Sequence, residues 1–372
     1  MEEMIAKPLF SEGESEQKLL HCSVSLESLA TAVPENRLPR ELLEARAKAF
    51  LGDRYDDFMR LSSLMQNAGV ESRYLAMPPE WYLQDHDFRE RNRVYLETGT
   101  ALLETAARKA MENAGLQPGD IDYLVCVSST GIATPSIDAR MMQNVGFRPD
   151  IRRVPVFGLG CAGGVTGMAI ATRLARAHPD STVLLVVCEL CSLSFSTDNT
   201  SKADYVATAL FGDGAAAACL RSRSDGSQDG IILGEGFEHL WRDTLGHMGW
   251  DIGPDGFALV LDRDIPKFVK KELSGAVKSA LAAARIDPAE IDRFICHPGS
   301  PKVLAAMENA LGLRSKTLDH EGQVLREYGN MSAPTVLFIL EKVLAEKKRG
   351  RYLLAGMGPG FTASFLPFIV HG

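Results

Sequence analysis

The cysteine in the motif GLGCAGG, Cys161, could act as a nucleophile. It stands between the apolar run VPVFGLG and the helix-like stretch GGVTGMAIATRLARAH, so we expect it at a sharp turn from a strand into a helix. The N-terminus of a helix stabilises a thiolate, and flanking glycines allow close approach of a substrate backbone. A structural role, with the cysteine as packing at a tight turn, fits the local sequence equally well.

Two further residues could bring hydrogen-bond donors to that thiol. His297 follows the apolar run RFIC and precedes Pro298 and Gly299, at the expected end of a strand. Asn330, in EYGNMSAP, lies at a turn before a second helix-like stretch. An imidazole and an amide can together stabilise a thioester oxyanion or an enolate. Each residue also has a structural alternative, because a lone histidine is more often structural and Asn330 could cap a helix beginning near Ser332.

An internal repeat relates the segments that carry these three residues. ALLETAARKAMENAGLQPGDIDYLVCVSS and KFVKKELSGAVKSALAAARIDPAEIDRFICHPG share a helical pattern followed by a β-rich run. At an offset of 170 residues (280 − 110), the matched pairs are Ala110 and Ala280, Ala114 and Ala284, Pro118 and Pro288, Ile121 and Ile291, Asp122 and Asp292, and Cys126 and Cys296.

The match continues through two more elements, so we predict an α/β chain of two pseudo-symmetric layered halves. The helix-like stretch after Cys161 matches GNMSAPTVLFILEKVLAEK, and the run TVLLVVCE matches RYLLAGMG. In this arrangement Asn330 is the symmetry mate of the Gly160–Cys161 turn, and the two converge from mirrored helix starts. We expect an N-terminal segment over residues 1–22, a first half over 23–225 with the nucleophile, and a second half over 226–372 with His297 and Asn330.

Length and composition limit the class of protein. At 372 residues the chain exceeds the usual size of a single domain, and 45% hydrophobic with 24% charged residues is enough for a substantial core. A formal net charge of −8 argues against a nucleic-acid partner, although a local basic patch could still receive an anionic substrate.

The N-terminus and the cysteines favour a reduced cytoplasmic protein without a membrane span. MEEMIAKPLFSEGESEQK carries acidic residues where a secretory signal needs positive ones, and no apolar region follows it. No apolar run approaches the roughly 18 residues of a spanning helix. The seven cysteines contain one C-x-x-C, at Cys188 and Cys191, without the second pair that a zinc site needs. We therefore expect no metal site.

Five motifs resemble those of the type III polyketide synthases, the chalcone-synthase-like branch of the thiolase-fold condensing enzymes. They are GCAGG at Cys161, ALFGDGAAA around Leu210, HPGSP at His297, EYGNMSAPTVLFIL at Glu327 and GMGPGFT at Gly356. The resemblance covers Ser23 to Val370 and keeps the family's order and spacing. It implies a thiolase-like fold and an acyltransferase that performs a decarboxylating Claisen condensation.

The resemblance also implies roles for individual residues. Cys161 would bear the acyl intermediate, with His297 and Asn330 as its catalytic partners, and Phe211 matches the gatekeeper aromatic beside the coenzyme A channel. The other positions implied are substrate-binding Ser129, Thr134, Cys191, Ser194, Trp250, Leu259 and Ser332, and coenzyme A-binding Arg60, Gly299 and Lys302. The substrates would be acyl-coenzyme A and malonyl-coenzyme A, with no metal or redox cofactor. A homodimer is implied, with the loop around Thr134 near the neighbouring active site, and an acyl carrier protein is a possible starter donor.

Departures from the plant pattern change the expected starter. The phenylalanine that plant enzymes carry after the nucleophile is missing, and Leu259 stands where a second gatekeeper phenylalanine is usual. Cys191, Ser194 and Ser129 occupy positions that are threonine in chalcone synthases, and Trp250 replaces a cavity glycine. STGIATPS and HMGWD instead resemble bacterial alkylpyrone and alkylresorcinol synthases. We therefore expect a long fatty acyl starter and a product of the alkylpyrone or alkylresorcinol type.

Three alternatives share part of this pattern. A ketoacyl synthase of the initiating type would use the same three residue types for one condensation on a carrier protein, but EYGNMS and GMGPGFT favour the iterative family. A hydrolase with a Cys–His pair leaves Asn330 unexplained. A non-catalytic acyl-binding protein on the same fold would tolerate the loss of Cys161, whereas all three catalytic residue types are present here.

Overall fold

The structure, a computed structural model, describes residues 22–51, 55–195, 202–253 and 256–371. Its helices are α1 (Arg40–Leu51), α2 (Tyr55–Ala68), α3 (Phe88–Asn113), α4 (Ile137–Val145), α5 (Gly163–Ala177), α6 (Lys202–Leu210), α7 (Ile265–Ala283), α8 (Pro301–Ala310), α9 (Asp319–Tyr328) and α10 (Thr335–Ala345). Its strands are β1 (Ser23–Ala32), β2 (Asn36–Pro39), β3 (Ser72–Leu75), β4 (Tyr123–Val127), β5 (Arg152–Val156), β6 (Thr182–Leu190), β7 (Asp213–Arg223), β8 (Ile231–Leu233), β9 (Phe237–Leu240), β10 (Met248–Gly253), β11 (Gly256–Leu261), β12 (Arg293–Cys296), β13 (Gly350–Gly358) and β14 (Thr362–Val370).

A large mixed sheet joins most of these strands. Within the described ranges it has ten strands, in the order β12-β13-β14-β8-β1-β7-β6-β4-β5, with β9 paired to β14. Two short ribbons, β2–β3 and β10–β11, stand apart from it. The central strands β4, β6 and β7 are almost entirely buried, which is why their sequences are nearly continuous apolar runs rather than alternating ones.

The internal repeat is visible in the pairing of the strands. β4 pairs in parallel with β6, and β6 pairs antiparallel with β7; β12, β13 and β14 repeat this arrangement. Both copies share an anchor, because Asp122 accepts a hydrogen bond from the Thr182 amide at 2.8 Å and Asp292 accepts one from the Arg351 amide at 2.7 Å. The prediction of two similar α/β halves is confirmed.

The two halves are not identical. In the part of the chain that the structure describes, β5 has no counterpart beside β12, and the ribbon β10–β11 has no counterpart in the first half. The strands Met248–Gly253 and Gly256–Leu261 form this ribbon shortly before α7, whereas α3, the counterpart of α7, is preceded by a short 3₁₀ turn, Trp81–Leu83. The repeat in the sequence begins after these segments, so it gave no signal for the ribbon.

The helices α5 and α10 bring the halves together in one core. Val165 and Met168 of α5 belong to the same buried apolar cluster as Val336 and Ile339 of α10. Each helix starts directly after one of the turns that carry the candidate site residues. Packing of these two helices therefore fixes the distance between the turns. Across the described ranges, no helix combines the length and hydrophobicity that a bilayer crossing requires.

Candidate active site

A cavity of about 620 Å³ lies where the two halves meet. Its walls come from α2, α6 and the ribbon β10–β11, and from the turns that precede α5, α8 and α10. Polar side chains that are exposed at its mouth are Asn67, Arg263 and Lys302. At the opposite end, Cys161 is 6% exposed and Cys191 is 1% exposed. The cavity therefore leads from a mouth that suits anionic groups to a buried end that suits an apolar chain.

Glycines allow the turn of Cys161 to lie against the other half. Cys161 sits in a 3₁₀ turn, Gly160–Ala162, immediately before α5. A Cβ at Gly164 would lie 2.3 Å from the Ala333 carbonyl oxygen, and one at Gly163 would lie 3.1 Å from the Ala333 Cβ. The glycines after Cys161 thus allow close approach of the partner helix start. The sequence had suggested that they admit a substrate backbone, and this interpretation is corrected for Gly163 and Gly164.

Burial dominates the electrostatics of the Cys161 thiol. Loss of water raises its pKa to about 11, and the buried Glu189 carboxyl nearby acts in the same direction. Hydrogen bonds with the side chains of Ser332 and Asn330 lower the pKa but do not offset burial. The helix N-terminus was expected to favour a thiolate, yet the free thiol is protonated at neutral pH. Reaction at this sulfur therefore needs a group that accepts its proton.

Asn330 is held in place by backbone groups that bind both its side chain and its main chain. Its amide nitrogen Nδ2 donates to the Gly299 carbonyl at 3.2 Å, and its Oδ1 accepts from the Ser332 amide at 2.8 Å. Its own backbone forms a parallel bridge with Phe211. Asn330 does not cap the helix that follows, because α10 begins at Thr335 with Pro334 at its N-cap position. One amide proton of Asn330 stays available for the thiol or for a substrate oxygen.

His297 directly follows β12 and is 2% exposed. Its backbone amide donates to the Ala355 carbonyl at 2.9 Å, which continues the parallel pairing of β12 with β13. Both ring nitrogens are buried and have no hydrogen-bond partner among the described residues. Burial also lowers the pKa of His297 to about 4, so the imidazole is neutral at physiological pH. A neutral imidazole offers one donor and one acceptor, and here both are free for a substrate or the thiol.

Ser332 has a strained backbone that serves its contact with Cys161. Its φ is +59°, in the left-handed region that side chains other than glycine rarely adopt. The bond from its amide to Asn330 Oδ1 holds this conformation, and its hydroxyl reaches the Cys161 thiol. Strain of this kind persists where surrounding structure fixes it, and it clusters at functional sites.

The structure brings most of the other sequence-predicted residues to this cavity. The candidates that line it are Cys161, Cys191, Phe211, Trp250, Leu259, Gly299, Lys302, Asn330 and Ser332. Trp250 and Leu259 are direct partners across the ribbon β10–β11, so their side chains share one face of it. His297 is not among the residues that line the cavity; it lies two residues before Gly299, which lines the cavity and whose carbonyl accepts from Asn330 Nδ2.

Other candidates lie elsewhere. Ser194 lines a separate pocket of about 130 Å³ on the other side of the ribbon, and its hydroxyl turns back to the Cys191 carbonyl at 2.8 Å. Ser129 is buried, with its amide bound to Glu189 and its hydroxyl accepting from the Gly158 amide at 3.1 Å. Thr134 is exposed in the loop between β4 and α4. Arg60 belongs to α2, but its side chain lies outside the described residues.

The sequence interpretation missed Glu189 and Arg263. Glu189 is fully buried at the end of β6, and burial raises its pKa to about 8. The sequence does contain a signal for Glu189, because an acidic residue stands out in the otherwise apolar run TVLLVVCE. Arg263 follows the ribbon and shares the mouth with Lys302, a placement that local sequence does not reveal. Among the described residues, no group of three or more His, Cys, Asp or Glu side chains could hold a metal ion.

The chain is similar to known proteins over most of its length. The profile of the chalcone and stilbene synthase N-terminal domain matches residues 20–224, and that of the C-terminal domain matches residues 237–370. A 1,3,6,8-tetrahydroxynaphthalene synthase of Streptomyces peucetius subsp. caesius is 42% identical over 348 residues, which are 92% of each chain. A putative chalcone synthase of Bacillus subtilis strain 168 is 34% identical over 354 residues, covering 92% of this chain and 97% of that one. The crystal structure of a 1,3,6,8-tetrahydroxynaphthalene synthase from Streptomyces coelicolor A3(2), a bacterial type III polyketide synthase, has a TM-score of 0.86 at 28% identity and covers 94% of this chain and 99% of that one.

Proposed function

The chain belongs to the chalcone and stilbene synthase family, and on that basis we propose that Cys161 carries a growing polyketide while His297 and Asn330 stabilise the enolate that extends it. The family assignment made from the five motifs is confirmed, and the chain is a type III polyketide synthase, an acyltransferase of the decarboxylating, condensing type. The observation that carries the site assignment is the meeting of Cys161, Asn330 and Ser332 at the buried end of one cavity.

The first step is transfer of an acyl group to Cys161. Sulfur attacks the carbonyl carbon of acyl-coenzyme A, a new C–S bond forms, and the bond to coenzyme A breaks. The thiol proton passes to the neutral imidazole of His297 and from there to the departing coenzyme A thiolate. Lys302 and Arg263 at the mouth suit the phosphates of coenzyme A, and both line the same cavity as Cys161.

The second step is decarboxylation of malonyl-coenzyme A. The bond to the carboxylate breaks, carbon dioxide leaves, and the electron pair remains as an enolate. Its oxygen receives hydrogen bonds from Asn330 Nδ2 and from the neutral His297 ring, whose nitrogens have no other partner in the described structure. The enolate carbon then attacks the thioester on Cys161: a C–C bond forms, the C–S bond to Cys161 breaks, and the chain, longer by two carbons, remains on the coenzyme A of the extender. The freed Cys161 thiolate then attacks that coenzyme A thioester, which returns the chain to Cys161 and releases coenzyme A before the next round.

We propose a long fatty acyl chain as the starter and an alkylpyrone or alkylresorcinol as the product. The cavity wall is largely apolar, with Leu64, Val206, Leu210, Leu261 and Ile265 among its residues. Each methylene buried against such a wall contributes about 0.8 kcal/mol. Trp250 and Leu259 form one side of the wall and would direct the chain along the ribbon rather than through it.

Catalytic efficiency should therefore rise with the length of the starter. We expect kcat/KM to increase by up to about fourfold per added methylene until the cavity is full. That factor corresponds to the ~0.8 kcal/mol of free energy that each buried methylene contributes. Cys191→Phe should fill part of the cavity and shift the preference to short starters, whereas Cys191→Ala should keep the preference for long ones. The measurement is product mass spectrometry with purified enzyme, malonyl-coenzyme A and a ladder of acyl-coenzyme A starters.

A product of the tetrahydroxynaphthalene type is the second candidate, because a synthase of that product is 42% identical to this chain. Such a product has a ten-carbon ring system without an alkyl side chain, so it excludes a fatty starter. The same assay distinguishes a product with an alkyl chain from a product of the tetrahydroxynaphthalene type. An enzyme that prefers short starters, or forms a hydroxylated naphthalene from malonyl-coenzyme A alone, would overturn the fatty starter and leave the condensing chemistry intact.

We also propose that the chain works as a homodimer formed at the edge of the large sheet. β5 is the terminal strand of that sheet, and its outer side is unpaired in the described structure. Phe157, directly after β5, is 55% exposed, and Ile132, in the loop of Thr134, is 46% exposed. An exposed edge strand with apolar neighbours suits pairing with a second copy across a two-fold axis.

Phe157→Glu should shift this dimer towards monomer. The two introduced carboxylates would repel each other across the two-fold axis. The dissociation constant of the dimer should therefore rise by at least about tenfold. Sedimentation velocity over a concentration series measures the shift, and Leu245→Glu, at a leucine that is 81% exposed and distant in sequence from β5, is the control. A wild-type protein that is a fully active monomer at assay concentration would refute the dimer.

A further inference from the structure

Two buried residues of opposite charge lie close enough to interact electrostatically, and both are outside the lining of the cavity. Arg73 of β3 is 3% exposed, and Asp213, the first residue of β7, is fully buried. Burial lowers the pKa of Arg73 to about 10, and the nearby Asp213 carboxylate acts against this shift. Neither residue lines the cavity. Burying two charges is costly, and replacing such a pair by apolar side chains is often neutral or stabilising, so stability alone does not account for them.

Asp213 holds the turn that carries Cys191. Its Oδ1 accepts from the Ser192 amide at 2.8 Å, and its Oδ2 accepts from the Ser192 hydroxyl. Oδ2 also accepts from the Ala76 amide at 2.6 Å, which ties the end of β3 to the same carboxylate. Because Ser192 directly follows Cys191, the position of this cavity residue depends on Asp213.

Arg73 holds the segment that carries Phe211 and, through it, Asn330. Its Nη1 donates to the Phe211 carbonyl at 3.0 Å. The residues on either side of Phe211 bind the backbone of Asn330: its amide donates to the Leu210 carbonyl at 2.9 Å, and its carbonyl accepts from the Gly212 amide at 3.0 Å. A Cβ at Gly212 would lie 3.1 Å from the Arg73 Cβ, so the arginine stem packs tightly against this segment.

We propose that Arg73 and Asp213 are positioning residues of the condensing reaction, which fix Phe211, Asn330 and the Cys191 turn relative to one another. The proposal deepens the proposed function and rests on it, because it takes Asn330 as the donor to the enolate. The pair acts through the backbone and touches no substrate. Loss of it should move Asn330 by a fraction of an ångström to an ångström, and displacement of that size costs up to about a hundredfold in rate.

The experiment compares Arg73→Met, Asp213→Asn and the double variant with wild type. Met removes the bond to Phe211 and leaves Asp213 unpaired, whereas the double variant leaves no buried charge and should fold better than Arg73→Met. Three quantities are measured on each folded protein: acyl loading on Cys161, carbon dioxide release from malonyl-coenzyme A, and product formed. Arg37→Met, at an exposed arginine on the neighbouring strand β2, is the matched control.

We expect acyl loading to change less than about threefold in the double variant, while carbon dioxide release and product formation both fall tenfold to a hundredfold. Arg73→Lys should recover part of the loss. A double variant whose product formation and carbon dioxide release equal those of wild type would overturn the proposal. The proposal would also be overturned if Arg73→Met and the double variant both fail to fold while Arg73→Lys shows wild-type kinetics. The pair would then serve stability alone. If wild type itself releases no carbon dioxide and forms no product, the proposed function fails, whatever the variants do.

Discussion

Replacement of Cys161 by alanine is expected to abolish product formation, because no other described residue of the cavity can form and hold the thioester. Cys191 lines the same cavity, but burial raises the pKa of its thiol well above the ordinary range, and the hydrogen bonds of Ser332 and Asn330 that act against burial go to Cys161. In other enzymes that use a covalent nucleophile, its removal lowers the rate by about a millionfold. We expect a loss of several orders of magnitude here, with carbon dioxide release continuing because decarboxylation does not use the sulfur.

The control for this variant is Cys219→Ala. Cys219 is fully buried in β7 and does not line the cavity, so its loss should leave condensation intact. Product formation is followed by liquid chromatography and mass spectrometry with the best starter and malonyl-coenzyme A. A Cys161→Ala protein that still condenses at a tenth of the wild-type rate or more would remove Cys161 from the role of nucleophile.

Replacement of Asn330 by alanine should separate loading from decarboxylation. The variant loses the Nδ2 donor to the enolate, and loss of one such donor in other enzymes costs ~3–4 kcal/mol, about a hundredfold to a thousandfold in rate. Loading of the starter should fall much less, because Ser332 still reaches the thiol. Labelled carbon dioxide from malonyl-coenzyme A measures the first effect, and intact-protein mass measures the second.

A matched control and a contradicting result are available for Asn330. Asn309→Ala removes an exposed asparagine of α8 that does not line the cavity, and it should leave both quantities unchanged. If Asn330→Ala releases carbon dioxide at the wild-type rate, the amide has only a structural role as the holder of the Ser332 conformation. A parallel loss of loading and decarboxylation would likewise point to a general disturbance of the turn.

The sequence predicted the duplicated halves and the turns that carry Cys161 and Asn330, because both depend on local patterns. Strand and helix periodicity repeats at one offset, and the anchors Asp122 and Asp292 are themselves matched residues of that repeat. Cys161 and Asn330 were located correctly, each at a turn before a helix, because strand-to-helix junctions are visible in a single sequence. The exact division at residues 225 and 226 stays a prediction.

The remaining features depend on contacts between distant segments. Trp250 and Leu259 share a face only because of the register of β10 with β11, and a slip of one residue would reverse it. Ser194 and Cys191 are three residues apart, yet the ribbon separates the pockets that they line. The raised pKa of Cys161 follows from burial between two halves, which no local pattern reports.

Peptide mapping during turnover identifies the residue that carries the acyl chain. Wild-type enzyme is mixed with its best acyl-coenzyme A and ¹³C-labelled malonyl-coenzyme A, quenched in acid, digested and analysed by mass spectrometry. We expect the starter on the Cys161 peptide, followed by the starter lengthened by labelled two-carbon units on the same residue. An acyl chain that maps to Cys126, Cys188, Cys191 or Cys296, or products that form while Cys161 stays unmodified, would contradict it.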